Sequence, residues 1–191
     1  MNAADNKVED LKLAAPAVHA ALCRLDTESC DASIFQLAFL LSCQNGGLGE
    51  GTVRRTPGAS FNPKPARICH ILLNECRETR SEVLCAALLI SSSAQPPFPS
   101  SLAAAGEILE ASRGLFDNQE GIGAPAQRVA LAHHLDVLRH AHMSAFSNEE
   151  QRRLVECSKN ILAKSFRHPE NERLYVLIEA WLNRQVDKGD K

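Results

Sequence analysis

Residues 61–93, FNPKPARICHILLNECRETRSEVLCAALLISSS, set two apolar segments of helical spacing almost back to back. In the first, Ile68, Ile71, Leu72 and Leu73 recur at intervals that share one face of a helix. The second, EVLCAALLI, is apolar nearly throughout. Pro65 suits the first turn of a helix, where a missing N–H costs nothing, and predicts a helix over 65–78. Ser81 is positioned to cap the next one. Short helices this apolar call for packing against other helices, and the rest of the chain supplies them.

Leu11 to Arg24 reads as a helix interrupted near Pro16. Asp31 can cap ASIFQLAFLLSCQ, whose apolar positions nearly encircle the axis and so predict a buried helix. NGGLGEG then stops it, and TVRRTPGASFNP follows as a loop. After the Pro/Ser linker SSSAQPPFPSS, Ser100 or Ser101 can cap LAAAGEILEASRGLF. DNQEGIGAP is a loop whose Pro125 starts PAQRVALAHHLDVLRHAHM, a helix over 125–143. Ser147 and Glu150 form an S-x-x-E capping box ahead of a helix over 148–165. Pro169 opens ENERLYVLIEAWLNRQV. No stretch alternates as a half-buried strand would. The predicted class is all-α, about seven helices in one domain over 9–187, with flexible tails at 1–8 and 188–191.

The 191 residues carry a net charge of −2, which lacks the basic excess of a nucleic-acid or membrane-surface binder. No apolar run reaches spanning length, and MNAADNKVEDLKL does not read as a signal peptide. A cytoplasmic protein is expected, with no membrane or nucleic-acid partner. The seven cysteines are odd in number, form no C-x-x-C and sit mostly in apolar segments. They read as reduced, buried thiols.

Three stretches carry a resemblance. The first holds Arg55, Gly58, Phe61, Lys64 and Pro65, then Ile68, Cys69, Ile71 and Leu72. Next come Ala86, Ala87, Leu88 and Leu89, and then Leu131, Ala132, His133, His134, Leu135, Asp136, Val137, Leu138 and Arg139. In order and spacing the chain resembles the HD-domain hydrolases of the RelA/SpoT type over roughly 31–183. The resemblance implies an HD-like helical bundle. It also implies a family activity, the manganese-dependent removal of pyrophosphate from alarmones such as guanosine tetraphosphate. The family's two His and two Asp ligands, however, fall on Lys64, Ile90, Ser91 and His133, and its acidic pair falls on Ala94 and Gln95.

A protonated ammonium and an isoleucine donate nothing to a metal, so a catalytic ion that needs several converging N or O donors is not expected. No catalytic residue, metal or cofactor is therefore assigned. With the family's carboxylates gone and Lys64 present, the matching pocket would be cationic. The resemblance assigns Arg55 a contact to the nucleotide base, so Arg55, Lys64 and His133 are the expected phosphate- or nucleotide-binding residues. The expected role is binding: a nucleotide or phosphate ligand, a protein partner, or a second copy of the chain. Two other readings stay open. One is an active hydrolase with a rearranged site, built for instance from His133, Asp136, His140 and Glu75. The other is an unrelated helical interaction module. Against a metal site, His133 and His140 on one helix stand about 10 Å apart at 1.5 Å per residue. Asp136 would instead pair with His140 or Arg139, and His134 is expected to be partly exposed.

Overall fold

The computed structural model describes residues 31–44, 64–90, 97–115, 121–140, 147–164 and 166–189. The predicted helix at Leu11–Arg24, the NGGLGEG loop, Arg55, Gly58, Phe61, Ser91, Ala94 and Gln95 lie outside the described residues. Those described form seven α-helices and no strand, as the patterning predicts: α1 Asp31–Gln44, α2 Lys64–Glu75, α3 Ser81–Leu89, α4 Ala103–Arg113, α5 Ala124–His140, α6 Asn148–Lys164 and α7 Glu172–Gly189. One-turn 3₁₀ segments at Ser100–Leu102 and Pro169–Asn171 lead into α4 and α7. Among the described residues no helix is long and apolar enough to cross a membrane. The chain divides into two compact units, Met1–Leu109 and Glu110–Lys191.

In the first unit α3 packs against both α1 and α2. Its side chains from Val83 to Leu89 are all sealed from solvent. The all-round burial expected of α1 belongs to α3 instead: α1 buries Phe35, Ala38, Phe39 and Ser42 but leaves Leu40 more than half exposed. The α2–α3 connection is tight. Arg77 adopts a left-handed φ of 52°, and the Glu78 amide bonds back to the Leu72 carbonyl at 3.1 Å. That return spans one residue more than the 6→1 bond of a Schellman motif and closes the turn between the two helices. The buried Glu78 carboxylate then accepts from the amides of Thr79 at 3.1 Å and Arg80 at 3.0 Å, and from the Arg80 guanidinium at 3.0 and 2.9 Å. The start of α3 is therefore organised by Glu78; Ser81, expected as its cap, is already inside the helix, and Arg80 holds the cap position. In α4, Gly106 lets the ring of Phe98 lie where a Cβ would meet it at 2.9 Å.

In the second unit α7 packs against α5 and α6, burying Leu174, Tyr175 and Ile178 with Val129, Leu131, Leu135, Leu138 and Ile161. The capping box forms as the sequence predicts. The Ser147 amide donates to Glu150 Oε2 at 2.7 Å, and the Glu150 amide to Ser147 Oγ at 3.3 Å. Those bonds hold the Glu150 carboxyl below its ordinary range. A polar staple ties the head of α5 to the turn before α7. Buried Arg128 donates to Asn171 Oδ1 at 2.8 Å, to the Glu170 carbonyl at 2.7 Å and to the Glu170 carboxylate at 2.8 Å. Asn171, fully buried, donates to the Ala124 carbonyl and to Gln127 Oε1, both at 3.0 Å. Gln127 in turn reaches the Phe166 carbonyl at 2.7 Å, and His168 lies 3.0 Å from the Ile122 carbonyl.

Candidate functional site

The residues expected to bind phosphate divide between the two units. Arg55 lies outside the described residues. Lys64 is the first residue of α2 and half-buried in the first unit; His133 is half-buried midway along α5 in the second. Ile90 caps the end of α3, its amide bonded to the Ala86 carbonyl at 3.0 Å. Lys64 and Ile90 cannot be metal donors, so the residues at the matching positions do not fit the manganese ion that the resemblance implies. Among the described residues, no three His, Cys, Asp or Glu side chains gather closely enough to hold a metal.

The histidine-rich stretch of α5 is built into its surroundings. Asp136, buried, faces His140 one turn on, with His140 Nδ1 at 3.2 Å from its carboxylate and 2.8 Å from its carbonyl. This is the pairing expected from the spacing. His134, by contrast, is buried rather than exposed, and its Nε2 lies 2.8 Å from Ser158 Oγ. Ser158 uses its own proton on the Leu154 carbonyl at 2.8 Å, so the histidine is the donor and carries its proton on Nε2. Burial lowers the His134 pKa from 6.5 to about 4, which keeps the ring neutral at pH 7. In the first unit, burial raises the Cys69 thiol well above its ordinary range, with Cys85 as a lesser cause. Neither thiol is in a disulfide and both are sealed in the core, and so are poor nucleophiles.

A feature with open access lies elsewhere in the second unit. A groove of about 1190 Å³ runs between the ends of α5 and α7 and along α6. Its apolar lining comes from Leu138, Leu154, Val155 and Trp181. Among the described residues its charges are Arg139, Arg152, Lys159 and Arg184 against the carboxylate of Glu156. On α6, Asn148, Arg152, Val155 and Lys159 recur at i, i+4, i+7 and i+11 and form one stripe, about 16 Å long at 1.5 Å per residue.

The cations differ in how their own fold accounts for them. Arg139 sits in the last turn of α5, where a positive charge complements the helix dipole. Arg184 returns its Nε to the Ala180 carbonyl at 3.1 Å. Lys159 pairs with Glu156 at 2.9 Å, both largely exposed. Arg152 lies near the start of α6, the end at which the dipole disfavours a cation. Its neighbour Arg153 offsets this by pairing with Glu149 at 2.5 Å; Arg152 makes no such bond among the described residues.

Sequence reasoning passed over this groove because its residues, spread from 138 to 185 on three helices, are ordinary surface charges one by one. The available signal was the Arg152–Val155–Lys159 stripe together with Trp181, the only tryptophan in the chain. Compared with known proteins, the chain matches no family model, no curated protein and no solved structure.

Proposed function

We propose that this protein acts by binding an anionic ligand, and that the basic groove of its second unit is the site. One observation carries the reading. In a chain of net charge −2, four cations and one carboxylate among the described residues surround a groove with an apolar lining. An anion there gains charge-assisted hydrogen bonds and meets an attractive field before contact. Trp181 reports occupancy directly, since no other tryptophan contributes to the emission. Tripolyphosphate and poly-glutamate are each titrated at low salt while Trp181 emission is followed. Binding that weakens as salt rises, and that the double variant Arg152→Glu/Arg184→Glu loses, is the expected result. No response to either anion, or an unchanged response in the double variant, overturns the reading.

The resemblance to HD-domain hydrolases supports a second contact of the same chemistry, at Arg55 and Lys64, on an HD-like scaffold that no longer activates water through a metal. On that reading guanine nucleotides raise the melting temperature of the wild type but not of Arg55→Ala or Lys64→Ala. Manganese leaves it unmoved. A stoichiometric bound metal, or equal nucleotide stabilisation of all three proteins, rejects it.

A further inference from the structure

We infer that the ligand of the groove is an acidic amphipathic helix of a partner protein. This rests on the anion-binding reading and narrows it. Three observations argue for a helix over a small anion.

The first is shape. The volume of about 1190 Å³ exceeds the roughly 300–1,000 Å³ usual for small-molecule pockets. The α6 stripe is about 16 Å long, which matches three turns of a helix laid beside it.

The second is the disposition of charge. Arg139, Arg152, Lys159 and Arg184 are all exposed and come from three helices. A phosphate site instead converges several donors on one point. Spaced cations match carboxylates spaced along a partner helix.

The third is the lining between them. Leu154, Val155 and Trp181 are only half-buried, so the groove keeps apolar surface to cover. A helix laid in such a groove inserts apolar residues at i, i+3, i+4 and i+7 and turns its flanks to the rim. The Glu156–Lys159 pair is exposed, and pairs of that kind hold weakly. Lys159 can therefore exchange Glu156 for a partner carboxylate.

The test uses the full chain and a synthetic eighteen-residue peptide, with leucines at i, i+3, i+4 and i+7 and glutamates along both flanks. Its controls are a scrambled peptide of the same composition, a peptide with lysine in place of glutamate, tripolyphosphate and a single-stranded oligonucleotide. The patterned acidic peptide is expected to shift Trp181 emission and to bind at least tenfold more tightly than the scrambled one. Val155→Asp should weaken it at least tenfold. Arg152→Glu/Arg184→Glu should reject the acidic peptide and accept the lysine peptide, an exchange that a merely unfolded variant would not show.

If the scrambled peptide, tripolyphosphate or the oligonucleotide binds as tightly as the patterned peptide, anion binding stands and the helix inference falls. If none of these binds, both fall. Sedimentation showing a wild-type dimer that the double variant dissolves would seat a second copy in the groove, and that too overturns the inference.

Discussion

His134 is a base whose charged form the fold disfavours. Its folded pKa of about 4 lies below the ordinary 6.5, so the unfolded chain binds this proton more readily between those values. Its contribution to stability is then complete above pH 6.5 and is lost as pH falls toward 4. The displacement of about 2.5 pH units corresponds to roughly 3 kcal/mol. His134→Gln removes the titrating group while leaving an amide N–H to offer Ser158. Urea unfolding at pH 7, 5.5 and 4.5 should show the wild type losing more stability than the variant; parallel losses would remove His134 as the cause. Arg77 is the second informative residue. A side chain in left-handed backbone costs about 1–2 kcal/mol, and Arg77 is exposed. Arg77→Gly should therefore stabilise the chain by about 1 kcal/mol, read as a higher urea midpoint.

At the scale of elements, the helices announced themselves where local chemistry decides them. Pro65 and Pro125 stand at the second residue of α2 and α5, and the Ser147–Glu150 box formed as written. Where tertiary contacts decide, the sequence was silent. Ser81 was the obvious cap for α3, but Arg80 holds that position, and Glu78 organises the turn ahead of it once Arg77 turns the chain back. His134 looked like a surface histidine, yet it faces Ser158 across the α5–α6 pair. The Arg128 staple was equally hidden, since its partners lie more than forty residues away. It joins two helix starts with five hydrogen bonds through Arg128 and Asn171. Removing one partner of a buried ion pair costs about 3–5 kcal/mol. Glu170 is half exposed, which lowers the expectation for Arg128→Ala to about 2–3 kcal/mol. Arg128→Lys should recover little of it, because an ammonium cannot reproduce the fork. Chemical unfolding of the two variants decides this.

For the whole molecule, the all-helical class was legible because periodicity and punctuation suffice for it. The groove proposed as a site was not, because a groove assembled from three helices has no linear signature. Lys64 and His133 were chosen from a linear motif, and they belong to separate units. The charge reading also missed scale: an overall −2 conceals a local cationic cluster. That separation of local from global charge has a measurable consequence. Arg152 makes no hydrogen bond or ion pair among the described residues, so Arg152→Glu should change unfolding free energy by no more than about 0.5 kcal/mol while weakening poly-glutamate binding. A large loss of stability would make it a structural residue instead.

The seven sealed side chains from Val83 to Leu89 leave that stretch of α3 with no outward face. Its backbone amides can meet solvent only when the first unit opens as a whole, because nothing smaller uncovers them. In deuterium exchange followed by mass spectrometry, the 83–89 peptide should be the slowest of residues 64–90 to gain mass. It should do so in one cooperative step, as a plug that leaves last.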